Sequence, residues 1–283
     1  MKPVRLPGAW ALAYGAAMSS TPQVVARKRY PSDLTDAQWK LVEPFVRGNP
    51  VGPQPVVHER REVVNAILYI SRTGAPWRYL PHDLPDWQSV YHYFRLWTKD
   101  GTLKLLHDVL RGKVRQQEGR SAQPTAGILD SQSVKTALEA ESRGYDAGKK
   151  VKGRKRHLLV DVLGLILVAW ITTADVQDRD AAAAVLPMAA EQFPTLQKVW
   201  ADGAYEGPRV ADIAQQTGID VEIVKRSDTT PGFVVQAKRW IVERTFGWLS
   251  RERRLSRDYE RKEESSETFV YVGMIRLMLG RFA

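Results

Sequence analysis

The stretch Val199-Trp200-Ala201-Asp202-Gly203-Ala204-Tyr205 decides how this chain is read. A short apolar strand runs into a carboxylate, and the glycine behind it leaves room for a phosphate or another chain to come close. The same design stands upstream in Gly127-Ile128-Leu129-Asp130-Ser131, where a strand over residues 125–129 ends at an acid. Between the two, residues 157–162 and 165–172 are rich in Val, Ile and Leu and flank Leu163-Gly164, the pattern of a β-hairpin. Residues 180–193 are Ala-rich and helical, and residues 197–201 form the strand that ends at Asp202. Beyond it, a helix over 208–216 stops at Gly218, a strand covers 220–224, and a long helix begins near Phe233 and passes Leu249.

The order is therefore strand, strand, strand, helix, strand, helix, strand, helix. That is the element order of the ribonuclease H fold, an α/β arrangement in which antiparallel strands are followed by parallel ones joined by right-handed crossovers. Neighbouring strand ends then deliver side chains to one place, so Asp130 and Asp202 are expected to meet.

Upstream the pattern is purely helical. Leu34-Thr35-Asp36-Ala37-Gln38-Trp39 carries a complete helix start, with Thr35 as N-cap, Gln38 as capping-box partner, and Leu34 and Trp39 as a hydrophobic staple, for a helix to about residue 46. A Pro/Gly-rich linker over 49–55 precedes a second helix, which Gly74 stops. Asp86 can cap a third helix over 87–97, with Val90, Phe94 and Trp97 on one face and Trp87, Tyr91 and Arg95 on another; a fourth covers 103–110. Residues 30–115 read as a small all-helical, helix-turn-helix-like domain, with Trp87, Ser89, His92 and Arg95 as DNA contacts or, on the alternative reading, a scaffold whose aromatics are core. A polar linker, 116–123, leads to the ribonuclease H-like catalytic domain, 124–283.

Composition narrows the partners. The 283-residue chain carries a net charge of +10, and such a surplus favours a polyanion through attraction and counterion release. An anionic membrane surface is the competitor, but no apolar run approaches the roughly 20 residues that span a bilayer. With no cysteine, disulfides and thiolate metal sites drop out, and a reducing, cytoplasmic setting near the nucleoid fits. Residues 1–29 are expected to be a disordered leader; the apolar stretch from Ala9 to Met18 superficially resembles a secretory signal, which a basic, cysteine-free chain does not suit, and Met18 is an alternative start.

The third candidate acid is Glu243, inside Arg239-Trp240-Ile241-Val242-Glu243-Arg244-Thr245-Phe246-Gly247-Trp248-Leu249. At about 100° per residue Glu243 points roughly 200° away from Ile241, on the side of Arg239, Trp240 and Gly247. Taken singly, Glu243 is an ordinary partner for Arg239, and Asp130 and Asp202 are ordinary strand-end aspartates. Together, in this element order and in a basic chain, three carboxylates suit a pair of hard divalent ions, Mg²⁺ or Mn²⁺, about 3.5 to 4 Å apart, the device of phosphoryl transfer on DNA. Asp161, Asp175, Asp178 and Asp180 are assigned to turn and N-cap duties instead.

These motifs, with Gly74-Ala75-Pro76-Trp77-Arg78-Tyr79-Leu80-Pro81 and Trp87-Gln88-Ser89-Val90-Tyr91, resemble the DDE transposases of bacterial insertion sequences, of the insertion-sequence-five type within the four/five superfamily. The resemblance runs from Tyr30 onward. It implies Asp130, Asp202 and Glu243 as catalytic, metal-holding acids. It further implies end cleavage by metal-dependent hydrolysis, joining of the 3′-hydroxyl to target DNA, and a homodimer holding two terminal inverted repeats of double-stranded DNA. Alternatives are a ribonuclease H-like nuclease or resolvase that never joins strands, and a silent transposase-derived repressor. The interval between Asp202 and Glu243 is too short for the β-insertion of some relatives. Of the family's Tyr, Arg, Glu and Lys motif, Arg239 and Glu243 are present, while Gln236 and Ser250 stand at the other two places. Backbone contacts are assigned to Lys149, Lys150, Lys152, Arg154, Lys155 and Arg156, to Arg239 and Arg244, and to Arg251, Arg253 and Arg254.

Overall fold

The computed structural model describes residues 27–46, 59–224 and 238–282. Most of the expected leader, the linker over 49–55, Gln236 and the start of the long helix near Phe233 lie outside the described residues.

Helices α1 (Asp36–Val42), α2 (Arg60–Thr73), α3 (Trp87–Lys99) and α4 (Thr102–Gln117) form the helical part. Thr35 and Gln38 close the capping box on α1, the hydroxyl accepting Gln38 N–H at 3.2 Å and the amide accepting Thr35 N–H at 2.9 Å. α1 stops at Val42 and not near residue 46, because Pro44 has no N–H to continue the ladder. Gly74 ends α2 in the left-handed region at φ 72°, where a side chain would be strained.

The sheet contains β1 (Ala126–Lys135), β2 (Gly144–Asp146), β3 (Val151–Asp161), β4 (Ile166–Thr173), β5 (Lys198–Asp202) and β6 (Asp220–Val224). β4 and β1 flank β3 antiparallel, and β1, β5 and β6 run parallel, giving the order β4-β3-β1-β5-β6 with short β2 beside the start of β3. This is a mixed α/β sheet of ribonuclease H type. Side-chain alternation sends Leu129, Leu159, Val199 and Ala201 toward α5 (Asp178–Gln192) and α6 (Pro208–Thr217). Ile128, Leu158, Val160 and Trp200 face the opposite way, toward α7 (Arg239–Leu249) and α8 (Glu263–Leu279).

The sequence reading did not include α8. Phe269, Val270, Tyr271, Val272, Met274 and Ile275 are all buried, so the helix is apolar on every side and shows no stripe. Its position explains this. The ring of Phe269 stacks on Phe94 at 4.7 Å and lies 5.9 Å from Trp77, while other faces of α8 meet β4 and α4. One core therefore runs from the helical part through α8 to the sheet, and the change of element type at residues 116–123 does not interrupt it. Arg115 of α4 also pairs with the buried carboxylate of Asp161, which in turn accepts Leu163 and Leu165 N–H in the β3–β4 turn, each at 2.9 Å.

Candidate active site

β1 and β5 part company at the site. Their parallel ladder ends at the pair Ile128↔Trp200; β1 stays with β3, while β5 stays with β6 as far as Asp202↔Val224. Asp130 and Asp202 each stand two positions beyond that last pair, so both lie at the fork and share the face of Ile128 and Trp200. The expected strand end at Asp130 is corrected here: β1 runs on to Lys135, and the opening is made by the departure of β5. Asp130 Oδ1 accepts Ser131 N–H at 2.7 Å, and Asp202 Oδ1 accepts Ala204 N–H at 2.9 Å in the turn that follows.

α7 crosses this face with Ile241, Val242, Thr245, Phe246 and Leu249 buried, which leaves Glu243 and Gly247 exposed above the fork. A methyl group added at Gly247 would meet none of the described residues within 4 Å, so these leave the space beside Glu243 open. The three acids converge on one cation. Arg239 Nη2 is 3.6 Å from Asp130 Oδ2, 3.6 Å from Asp202 Oδ2 and 3.5 Å from Glu243 Oε1.

Three carboxylates around the Arg239 guanidinium present only hard oxygen donors, a set suited to divalent cations. Among the described residues no group of three His, Cys, Asp or Glu stands close enough to hold a metal ion. Arg239 holds the middle of the carboxylate set.

Burial pushes the Asp130 carboxyl up to about 6, with repulsion from Asp202 adding to it, against the Ser131 N–H, Arg239 and Lys149, which favour the ionised form. A folded pKa above the unfolded value gives stability that is complete below the unfolded pKa and is lost as pH rises through about 6. Without added metal, Asp130→Asn is therefore expected to be more stable than the wild type at pH 8 by on the order of 2 kcal/mol, read as a higher unfolding temperature. The advantage should vanish by about pH 4, and thermal unfolding across that range checks it. An Asn variant less stable than the wild type at pH 8 would contradict the assignment of burial as the main cause.

The proposed phosphate contacts divide. Lys149, Lys150 and Lys152 are exposed, and Lys149 Nζ reaches the Ser131 carbonyl at 3.2 Å, beside the fork. Arg251 and Arg253 are exposed as well. Arg154 and Arg156 are not, and their assignment to DNA is corrected. Arg154 is 0% exposed and donates to the carbonyls of Glu260 at 2.8 Å and Arg261 at 2.7 Å, with Asp258 Oδ2 at 3.3 Å. Arg156, 1% exposed, donates to the Leu255 carbonyl at 2.7 Å. Lys155 is buried on the opposite face, donating to the Val176 carbonyl at 2.8 Å, and Arg254 is buried against Glu260 at 2.6 Å. These four hold the fold and cannot meet a phosphate. Arg244 lies between Trp240 and Trp248, 4.5 Å from each ring, and donates to the Leu163 carbonyl at 3.0 Å. Trp87 is half-buried under Arg78, and Arg95 is half-buried on α3.

Sequence reading also missed a polar layer behind Asp130. Ser131 and Ser133 alternate with Asp130 onto the α5 face, where Ser131 Oγ donates to Asp178 Oδ1 and Ser133 Oγ to Asp146 Oδ2. The N-cap of α5 is Gln177, and Asp178, the first helical residue, turns its carboxylate to Ser131 and Lys155, so the assignment of Asp178 to capping is corrected.

Two family models match the chain. One, described as "Transposase DDE domain", covers residues 121–279, more than half of it. The other, "Putative transposase of IS4/5 family", covers residues 34–107. A "Putative transposase for insertion sequence element IS402" of Burkholderia cepacia is 31% identical over 128 residues, 43% of this chain and 60% of that protein's length. A second Burkholderia cepacia protein, "Insertion element IS402 uncharacterized 16.2 kDa protein", is 28% identical over 119 residues, 39% of this chain and 78% of its own length. Among solved structures, the "Mos1 transposase paired-end complex with left transposon end" aligns over 84% of this chain and 80% of that chain, with 11% identity and a TM-score of 0.28.

Proposed function

The chain belongs to the DDE transposase family, and from that premise we propose that it binds the terminal inverted repeats of its insertion sequence, cleaves their ends and joins the freed 3′-hydroxyls to target DNA. The observation that supports this most is the placement of Asp130 and Asp202 at one strand fork, with Glu243 above them and the Arg239 guanidinium among the three. Asp130, Asp202 and Glu243 would hold Mg²⁺ or Mn²⁺. Bound as a pair, such ions lower the pKa of an attacking water and stabilise the leaving oxygen.

The remaining roles belong to the chain's own side chains. The Ser131 N–H holds Oδ1 of Asp130, which leaves Oδ2 facing the centre of the site. Arg239 balances the acids in the free protein and turns to a backbone phosphate once other cations balance them. Lys149, Lys150, Lys152, Arg251 and Arg253 offer exposed charge to the duplex, and Trp87 and Arg95 on α3 provide the helical contacts. Because two ends must be brought together, a homodimer on DNA is the assembly proposed, working at the nucleoid. No helix among the described residues is long and apolar enough to cross a membrane.

The test is a duplex carrying the element's ends, incubated with the full chain and Mg²⁺ in the presence of target DNA. Cleavage at the ends followed by strand joining, both abolished by chelation, is expected. Cleaved but never joined ends would replace this reading with a nuclease or resolvase, and binding without cleavage would replace it with a repressor.

A further inference from the structure

We infer that Asp178, acting through Ser131, is a positioning residue for Asp130. The inference rests on the reading of Asp130 as a metal-holding acid.

Beyond Ile128 no β5 neighbour remains to order that edge of β1, yet Asp130 must present one carboxylate oxygen in a fixed direction. The structure meets this need through the next residue. Ser131 N–H donates to Asp130 Oδ1 at 2.7 Å, and the Ser131 hydroxyl donates to Asp178 Oδ1 at 2.7 Å on the other face of the sheet. Its carbonyl receives Lys149 Nζ at 3.2 Å. All three polar groups of Ser131 are thus tied, and rotation of the peptide that holds Asp130 would break at least one of them.

Asp178 is itself anchored. Lys155 Nζ lies 3.3 Å from its Oδ1, and that ammonium is fixed to the Val176 carbonyl, with Asp146 at 3.7 Å. His157 Nδ1 stands 3.9 Å away, and its other ring nitrogen meets Thr172 Oγ1 at 3.0 Å. From the β5 side Tyr205, 1% exposed, closes the layer; burial, then the charges of Asp178, Asp130 and Asp202, keep its phenol protonated. The groups facing Asp178 thus come from β1, β3 and the turn after β5, so the layer links the strands that carry Asp130 and Asp202.

Hydrogen-bond partners behind a ligating carboxylate typically set metal affinity by about 10- to 100-fold. Titration calorimetry with Mn²⁺ as the probe, on the full chain, tests the inference. Asp178→Ala and Ser131→Ala are each expected to weaken Mn²⁺ binding by about tenfold or more, whereas Asp178→Asn, whose amide oxygen can still accept the Ser131 hydroxyl, should stay within about threefold of the wild type. Ser131→Ala leaves the Asp178–Lys155 pair intact, so it carries the test if Asp178→Ala does not fold. Wild-type affinity in the Ala variants would overturn the inference. So would an Asn variant as weak as Asp178→Ala, because charge toward Lys155 and not the bond to Ser131 would then be the cause. Failure of the wild type to bind Mn²⁺ would instead sink the metal-site reading beneath it.

Discussion

Asp202→Asn and Asp130→Asn are each expected to slow end cleavage by roughly 10²- to 10³-fold or more, the scale on which removing one group directed at developing charge acts. The change is small in volume and local in chemistry. Asp202 Oδ1 accepts Ala204 N–H and Asp130 Oδ1 accepts Ser131 N–H, and an asparagine oxygen can accept either bond, so the turn and the strand are kept while the anionic donor is lost. Glu243→Gln should act in the same direction; its side chain is 51% exposed, and its i,i+4 pairing with Arg239 is worth only a few tenths of a kcal/mol to α7. Single-turnover cleavage at saturating Mg²⁺ measures the effect, with thermal unfolding as the control. Cleavage by the Asn variants within about threefold of the wild type would remove both aspartates from the chemistry.

Replacement of Arg154 by methionine should have its large effect elsewhere, on stability. The guanidinium is fully buried and satisfies Asp258, the Ser142 hydroxyl and the carbonyls of Ser142, Glu260 and Arg261. Methionine fills much of the volume but leaves a buried carboxylate and these acceptors without their donor, and breaking a buried pair from one side costs about 3 to 5 kcal/mol. At roughly 2 to 4 °C per kcal/mol for a chain of this class, the unfolding temperature should fall by about 10 °C. Lys152→Met, on the exposed part of the same basic run, should change stability by no more than about 0.5 kcal/mol and act instead on DNA affinity and its salt dependence. Unaltered stability in Arg154→Met together with weakened DNA binding would restore the phosphate-contact assignment.

That contrast shows what the sequence carried and what it hid. The period of two along β3 already puts residues 154 and 156 on the face of Leu158 and Val160, which is core. Residue type argued the other way, because a run of Lys and Arg is ordinarily solvated. The deciding partners, Asp258 and the carbonyls over 255–261, lie about a hundred residues away and are joined only by the fold. Asp130 and Asp202 were legible because an apolar run ending in an acid is a local pattern. The continuation of β1 was not, since Ser131-Gln132-Ser133 looks like a turn; the ladder with β3 carries the strand on to Lys135, and Asp178 and Asp146 receive the serine hydroxyls. Glu243 was proposed on the family resemblance together with its helix facing; the 3.6-residue period alone leaves it an ordinary surface partner of Arg239. α8 was missed for the opposite reason: wrapped by core on every side, it offers no amphipathic stripe to read.

The central claim is that Asp130, Asp202 and Glu243 hold the divalent ions that drive cleavage. Anomalous diffraction from crystals of the full chain with Mn²⁺ and an end-bearing duplex tests it most directly. Manganese peaks are expected between the oxygens of these three side chains, with the Arg239 guanidinium withdrawn from among them toward a phosphate. Peaks ligated elsewhere, or a site without manganese in which Arg239 still spans the three acids beside bound DNA, would contradict the account.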